Sequence, residues 1–364
     1  MSKSNKQNSA VPIRVVCAVL FLCFTFGYLY FYQADVLTAT QHLLSGGKTH
    51  YDRTIGAVLI TVALYVIHLA VLASTKLLRH GHALSYFPSL LALTVLTGIH
   101  IHNDGTFDFG HWLWAAPLLL VLFIVVVVLI RQWQQFDRKS FAAPLLVSSW
   151  WHNLMVMAAM FLFVGLFSNH NDVMHYRLRA ESCMLHRDYQ GALMAGKGAL
   201  ATDSNLTMLR IHALARSHQL GEHLFEYPIV GGSAAMMPDS NHLRPVFFPM
   251  YRLVEYPSRD FRLCRHLLNR NLDAFVYELM RDSAATDSDF LDRQPKHYRE
   301  ALLLYDRRKA KPVYDNLTME ADYEDFLKLY REKTDARTRQ AHLCDVYGNT
   351  YWYYYFTREQ GNEM

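Results

Sequence analysis

The chain has 364 residues, 52 % of them hydrophobic and 19 % charged, with 36 Lys and Arg against 32 Asp and Glu for a formal charge of +4. That length allows more than one domain, the apolar content excludes a disordered chain, and the balanced charge excludes a protein organised around nucleic acid. The averages hide two regimes: residues 1–170 hold every long apolar run and no Glu, whereas residues 171–364 mix acids and bases almost evenly.

Five apolar stretches lie near residues 15–32, 55–73, 83–101, 112–130 and 141–167. Each approaches the roughly 20 helical residues that cross a ~30 Å hydrocarbon core. The first follows Lys3, Lys6 and Arg14 and ends in the aromatic belt Tyr28, Tyr30, Phe31, Tyr32. No A-x-A cleavage site follows, so it reads as an uncleaved anchor. Pro88 and Pro117 fall in the first turns of their helices, where proline is tolerated, and Trp112 and Trp114 open the fourth span as interface anchors. The fifth span, Phe141 to Phe167, carries no charged residue and is the last of its kind; it joins a membrane half to a water-soluble half.

Orientation follows from the short loops. Lys3, Lys6, Arg14, Lys76, Arg79, Arg131, Arg138 and Lys139 lie on one side against Lys48 and Arg53 on the other, eight to two. Basic loops stay in the cytoplasm, so the N-terminus is expected there. Five crossings then carry residues 171–364 to the periplasmic side of a bacterial inner membrane.

The second half reads as all-α. From Val173, small and aromatic residues at Tyr176, Ala180, Cys183, Tyr189, Ala192 and Ala199 fall where a tetratricopeptide repeat places its packing residues, with Arg187-Asp188-Tyr189 as the turn and Ser204 at the closing position. Small residues on facing sides let antiparallel helices approach, and large ones fill the gaps between layers. A second helix pair starts near Leu206 and turns at Leu220-Gly221. Pro228, Gly231, Gly232, Pro238 and Pro245 then mark an irregular segment over 227–249. Periodicity returns with the apolar stripe Leu263, Leu267, Leu268, Leu272, Phe275, Leu279, and further helices are expected from Pro295, over 322–331 and over 334–346. Of the five cysteines, Cys17 and Cys23 sit in the first span as apolar filler; Cys183, Cys264 and Cys344 are far apart, form no C-x-x-C, and are expected as free thiols.

Three stretches carry a resemblance: Gln219-Leu220-Gly221-Glu222-His223-Leu224-Phe225-Glu226-Tyr227-Pro228, then residues 295–304, then Tyr347-Gly348-Asn349-Thr350-Tyr351-Trp352-Tyr353-Tyr354. Together they resemble a family of uncharacterised multi-pass membrane proteins from Bacteroides and relatives. The resemblance implies apolar spans followed by a tetratricopeptide-like helical domain, and it brings no activity, substrate or catalytic residue.

No G-x-S-x-G, H-E-x-x-H, P-loop or G-x-G-x-x-G occurs, so the sequence points to no enzyme and no cofactor. His100, His102, Asp104, Asp108 and His111 cluster around the third loop, and His170, Asp172 and His175 follow the fifth span. Imidazole and carboxylate suit Zn²⁺, but their spacing matches no metalloenzyme motif, and a hydrated, hydrogen-bonded loop is the first reading. His68 and His152 lie inside spans, where ionisable groups are candidates for a haem, a metal or a proton relay; a neutral His bonded to a neighbouring helix is the plainer expectation, with Asn153 and Trp150-Trp151 as packing and anchoring residues. Residues 351–356, all aromatic, are expected to bury one face as the end cap of the helical stack. The expected partners are therefore the lipid bilayer and an envelope protein or peptide. The expected role is a membrane-anchored interaction protein or scaffold; a membrane enzyme or transporter with a His-lined metal or haem site is the alternative.

Overall fold

The computed structural model describes residues 11–75, 77, 81–102, 106–136, 145–237, 245–247, 258–281, 289–309, 314–332 and 335–357. Lys3, Lys6, Lys76, Arg79, Arg138, Lys139, Asp104, Pro238 and the start of the fifth span lie outside them. The fold is all-α, and the chain divides into two units, Met1–Asp172 and Val173–Met364.

The first unit contains α1 (Val11–Gly27, continued by a π-helical turn Tyr28–Tyr32), α2 (Ala34–Ser45), α3 (Arg53–Thr75), a 3₁₀ turn (Ala83–Tyr86) leading into α4 (Phe87–Thr97), a strand pair β1 (His100–Ile101) and β2 (Phe107–Asp108), α5 (Trp112–Phe136) and α6 (Leu145–Phe167). The strands are antiparallel, with His100 opposite Asp108. Four helical segments are long and apolar enough to cross a membrane: Pro12–Tyr32, Arg53–Thr75, Trp112–Gln132 and Trp150–Phe167. Their outward faces are apolar. Ile55, Leu59, Val62 and Val66 of α3, and Leu118, Val121 and Ile124 of α5, are exposed. Water does not tolerate so continuous an apolar surface, whereas lipid does.

The expected third span, 83–101, differs. Its apolar helix runs over Ala83–Thr97, shorter than the other four, and the chain then turns into β1. Gly98 ends it: a Cβ there would meet Trp112 Nε1 at 2.6 Å and the Thr94 carbonyl oxygen at 2.8 Å. None of residues 81–99 is exposed, because α1, α3 and α6 pack around this segment in a core that holds Phe21, Leu64, Tyr86, Leu90, Leu93 and Met157. The sequence reading also missed α2, whose Asp35, Thr38, Thr40 and Gln41 dilute its apolar residues Val36, Leu37 and Ala39.

The second unit contains α7 (Asp172–Leu185, whose first residue belongs to the first unit), α8 (Tyr189–Met194), α9 (Ser204–Arg216), α10 (Leu220–His223), 3₁₀ turns Leu224–Glu226 and Gly232–Met236, α11 (Arg259–Leu268), α12 (Leu272–Arg281), α13 (Asp289–Asp292), α14 (Lys296–Asp306), α15 (Leu317–Arg331), α16 (Ala336–Tyr347) and α17 (Tyr351–Thr357). Side-chain caps start many of them, and they are legible in the sequence. Asp188, Asp203, Ser258, Asn316 and Asp335 each accept a backbone N–H from the first turn that follows.

One joint recurs three times. The loops 186–188, 217–219 and 269–271 connect α7 to α8, α9 to α10 and α11 to α12, and their middle residues Arg187, His218 and Arg270 take φ of 60°, 56° and 55°. In each, the next residue's N–H returns to a carbonyl five residues back: Asp188 to Cys183 at 2.9 Å, Gln219 to Leu214 at 2.9 Å, Asn271 to His266 at 3.0 Å. This is the left-handed helix stop that usually carries glycine. Here the middle residue is Arg or His, which is why the repetition is faint in the sequence.

The first hairpin is asymmetric. Its second helix, α8, stops at Met194, with Gly196 and Gly198 at φ of 64° and 84°. Arg210, buried in α9, donates to the Ala195 and Gly196 carbonyl oxygens at 3.2 and 3.1 Å, a cation placed at a helix C-terminus where the dipole favours it.

Candidate functional site

Among the described residues no group of three or more His, Cys, Asp or Glu stands where it could hold a metal ion. His102 Nε2 meets Asp108 Oδ2 at 2.8 Å, and the Gly110 N–H donates to Asp108 Oδ1 at 2.9 Å. The hydrogen bond from His102 holds the exposed Asp108 carboxyl below its ordinary range. His100 sits across the strand pair from Asp108, His111 leans on the Trp112 ring with centroids 5.2 Å apart, and His170 Nδ1 faces the Ser168 carbonyl oxygen at 3.1 Å. His175 is buried in α7. Asp104 lies outside the described residues. What the structure displays here is a hydrogen-bonded turn.

The two intramembrane histidines separate. His152 is exposed on α6, facing away from the bundle. His68 is buried in α3, 3.2 Å from Ser85 Oγ through Nδ1, and stacked on Tyr86 with ring centroids 3.6 Å apart. His82, a residue outside the spans read from the sequence, stands edge-on to both rings, 5.8 Å from His68 and 5.8 Å from Tyr86. Asn153 Oδ1 accepts the Ala83 N–H at 2.8 Å, as expected for an interhelical packing residue. These contacts pin the 3₁₀ turn Ala83–Tyr86 between α3 and α6.

In the second unit the three stretches that carry the resemblance converge. Gly221 lies against α14 so closely that a Cβ would stand 2.8 Å from Tyr298 Cζ and 2.9 Å from Pro295 Cβ. Glu222 Oε2 accepts the Lys296 N–H at 2.7 Å, satisfying one of the free donors at the start of α14. The Phe225 N–H donates to His297 Nε2 at 3.3 Å, which leaves the proton on Nδ1, 2.9 Å from Glu300 Oε2. The same carboxylate oxygen accepts the Tyr351 N–H at 2.8 Å, and Trp352 Nε1 donates to the Glu300 carbonyl oxygen at 3.0 Å. Tyr351 and Tyr354 then donate their hydroxyls to the Leu267 and Leu268 carbonyl oxygens, the open end of α11. His297 and Glu300 are almost wholly buried, so the segments that hold them are fixed in place; a buried carboxylate left without such partners would cost several kcal/mol. The closing aromatic run does bury one face, through Tyr351, Trp352 and Tyr355.

Phe225 and Tyr354 of this network also line a groove of about 600 Å³. Phe225, Glu226, Tyr227 and the chain to Ile229 line one side; Cys344, Asp345 and Val346 of α16 and Gly348 and Asn349 of its turn, with Tyr353, Tyr354 and Thr357 of α17, line the other. The volume falls in the range of ligand sites, roughly 300–1,000 Å³. Cys344 and the other four cysteines are in no disulfide. Residues 256–358 match a family of unknown function (DUF6057). No curated protein and no solved structure matches the chain. The matched segment contains two of the three converging stretches and the α16–α17 side of the groove; the Gly221 stretch lies before it.

Two further buried groups escaped the sequence reading because their partners are distant in the chain. Glu181 of α7 is sealed from solvent and accepts the Val246 and Phe247 N–H groups at 2.5 and 3.3 Å; burial pushes its carboxyl up to about 7 although Arg177 opposes the shift. His212 Nε2 donates to the Met236 carbonyl oxygen at 2.9 Å, and burial pushes this imidazole down to about 4, so it is neutral. Between them they tie parts of the irregular segment to α7 and α9.

Proposed function

We propose that the chain is an integral membrane protein that displays its second unit in the periplasm, where it works as a tetratricopeptide-like interaction module holding an extended segment of another envelope protein. The observation that carries this reading is the groove between residues 225–229 and α16–α17, two of whose lining residues, Phe225 and Tyr354, belong to the hydrogen-bonded network. The repeated left-handed joints support a helical-repeat construction, in which stacked hairpins present extended binding surfaces. Exposed apolar side chains stand at the groove, Leu200 at 80 % and Val346 at 52 % exposure, as an interaction surface requires.

The periplasmic placement rests on the loop charges and on five crossings. In support of the fifth, Ala83–Thr97 is enclosed by other helices. A segment shielded by protein can cross with fewer apolar residues and with irregular ends, because its backbone never meets lipid.

The test is site-directed photocrosslinking of the full chain in its native membrane. A crosslinker at Leu200 or Val346 is expected to trap a discrete protein, while one at Leu317, 79 % exposed and outside the groove lining, is not. Equal capture at all three positions, or none, would overturn the reading.

A further inference from the structure

The groove's charge says what kind of segment it takes. Among the described residues its charged lining groups are Glu226 and Asp345, with no Lys or Arg beside them. Glu226 shares one oxygen with His223, Oε1 to Nδ1 at 2.8 Å. Asp345 is exposed on α16. Tyr353 and Tyr354, both partly exposed, line the same groove, as do the apolar side chains of Leu200 and Val346. Such a surface repels phosphates, carboxylates and nucleic acid. It suits a side chain with an apolar stem and a cationic head: the stem covers apolar surface, and the head meets tyrosine faces and carboxylates. The chain makes this kind of contact itself. Arg308 lies over the Tyr355 ring at 5.1 Å, outside the groove, and Arg210 lies over the ring of the groove residue Tyr227 at 5.1 Å.

Resting on the reading proposed above, we infer that the groove recognises an extended peptide segment of a partner protein through a Lys or Arg side chain, seated between Glu226 and Asp345 against Tyr353 and Tyr354. The amide side chains of Gln340 and Asn349 and the Thr357 hydroxyl line the same groove and offer donors and acceptors to the peptide backbone. Electrostatic complementarity of this sort selects the partner and speeds its capture more than it adds raw affinity.

The test uses the full chain in nanodiscs and a displayed library of random dodecapeptides. Three proteins are panned: the unaltered chain, Glu226→Gln with Asp345→Asn, and the groove-blocking pair Leu200→Asp with Val346→Asp, all at exposed positions. The unaltered chain is expected to enrich sequences containing Lys or Arg. The enriched peptide, titrated by fluorescence polarisation, should bind at least about tenfold more weakly to the neutralised variant and lose affinity as salt rises. Enriched peptides without a basic residue, blocked by Leu200→Asp/Val346→Asp but indifferent to Glu226→Gln/Asp345→Asn, would overturn this inference and leave the groove as a peptide site. No enrichment, or enrichment indifferent to both variants, would overturn the groove reading as well. Self-association of the unaltered chain that the blocking pair abolishes would identify a second copy as the occupant and overturn both.

Discussion

At the scale of single residues, the second unit concentrates its tension where the sequence looks least unusual. Glu181 is one more acid in a mixed helix, yet it is sealed from solvent with its carboxyl raised from 4.5 to about 7. Arg177 on its own helix, the Val246 and Phe247 N–H groups and Asp203 are the polar groups that face it. A carboxyl with a raised folded-state value binds its proton more tightly in the folded chain, so folding stability is greatest below about pH 4.5 and declines as pH climbs to about 7. The contribution is on the order of 3 kcal/mol. Glu181→Gln keeps an acceptor for Val246 and should flatten that decline; urea midpoints of the second unit at pH 5 and pH 8 measure it, and an unchanged pH slope would contradict the assignment. Gly221 is the other such residue. Gly221→Ala places a methyl group against the buried Tyr298 ring and Pro295, and should destabilise the unit by about 1–3 kcal/mol. A neutral result would mean that α10 and α14 are free to separate.

At the scale of elements, stopping signals shape the molecule as much as helix-forming ones. The three joints at Arg187, His218 and Arg270 hold non-glycine residues at positive φ, which costs roughly 1–2 kcal/mol each. Arg270 recovers part of this by lying over Tyr354 and Tyr355 and donating to the Tyr354 carbonyl oxygen at 3.5 Å. His218 is exposed. His218→Gly should therefore stabilise the second unit by about 0.5–1 kcal/mol, whereas Arg270→Gly should gain less or lose. Paired thermal melts decide between these signs. In the first unit, Gly98 plays the comparable part: it ends the Ala83–Thr97 helix and lets Trp112 close over it.

At the scale of the whole molecule, the question is where the second unit resides. With five crossings, the loop near Lys48 and the second unit share a compartment opposite the N-terminus; with four, they lie on opposite sides. Alkaline phosphatase fused after Lys48 and after Met364 is expected to be active in both positions. Activity only after Lys48 would show that the Ala83–Thr97 helix re-enters without crossing and would place the groove in the cytoplasm.

The sequence by itself determined the division into an apolar and a mixed half, the all-α class and the long apolar helices. Each of these rests on local chemistry, apolar run length and charge; the capping Asp, Asn or Ser beside a helix start is equally local, yet the helix expected over 322–331 begins at Leu317 behind Asn316. It also marked the stretches that matter, through Gly221, Pro295 and the tyrosine run, without saying that they meet. Only the tertiary structure decided that Phe225, His297, Glu300 and Tyr351 share one chain of hydrogen bonds, that His68 keeps company with His82 while His152 faces outward, and that the Ala83–Thr97 helix is enclosed by its neighbours. The physical reason is sequence separation. The partners of Glu181 lie 65 and 66 positions away and those of Phe225 and Tyr351 72 and 51, and such pairings depend on how whole helices pack, which no local pattern records.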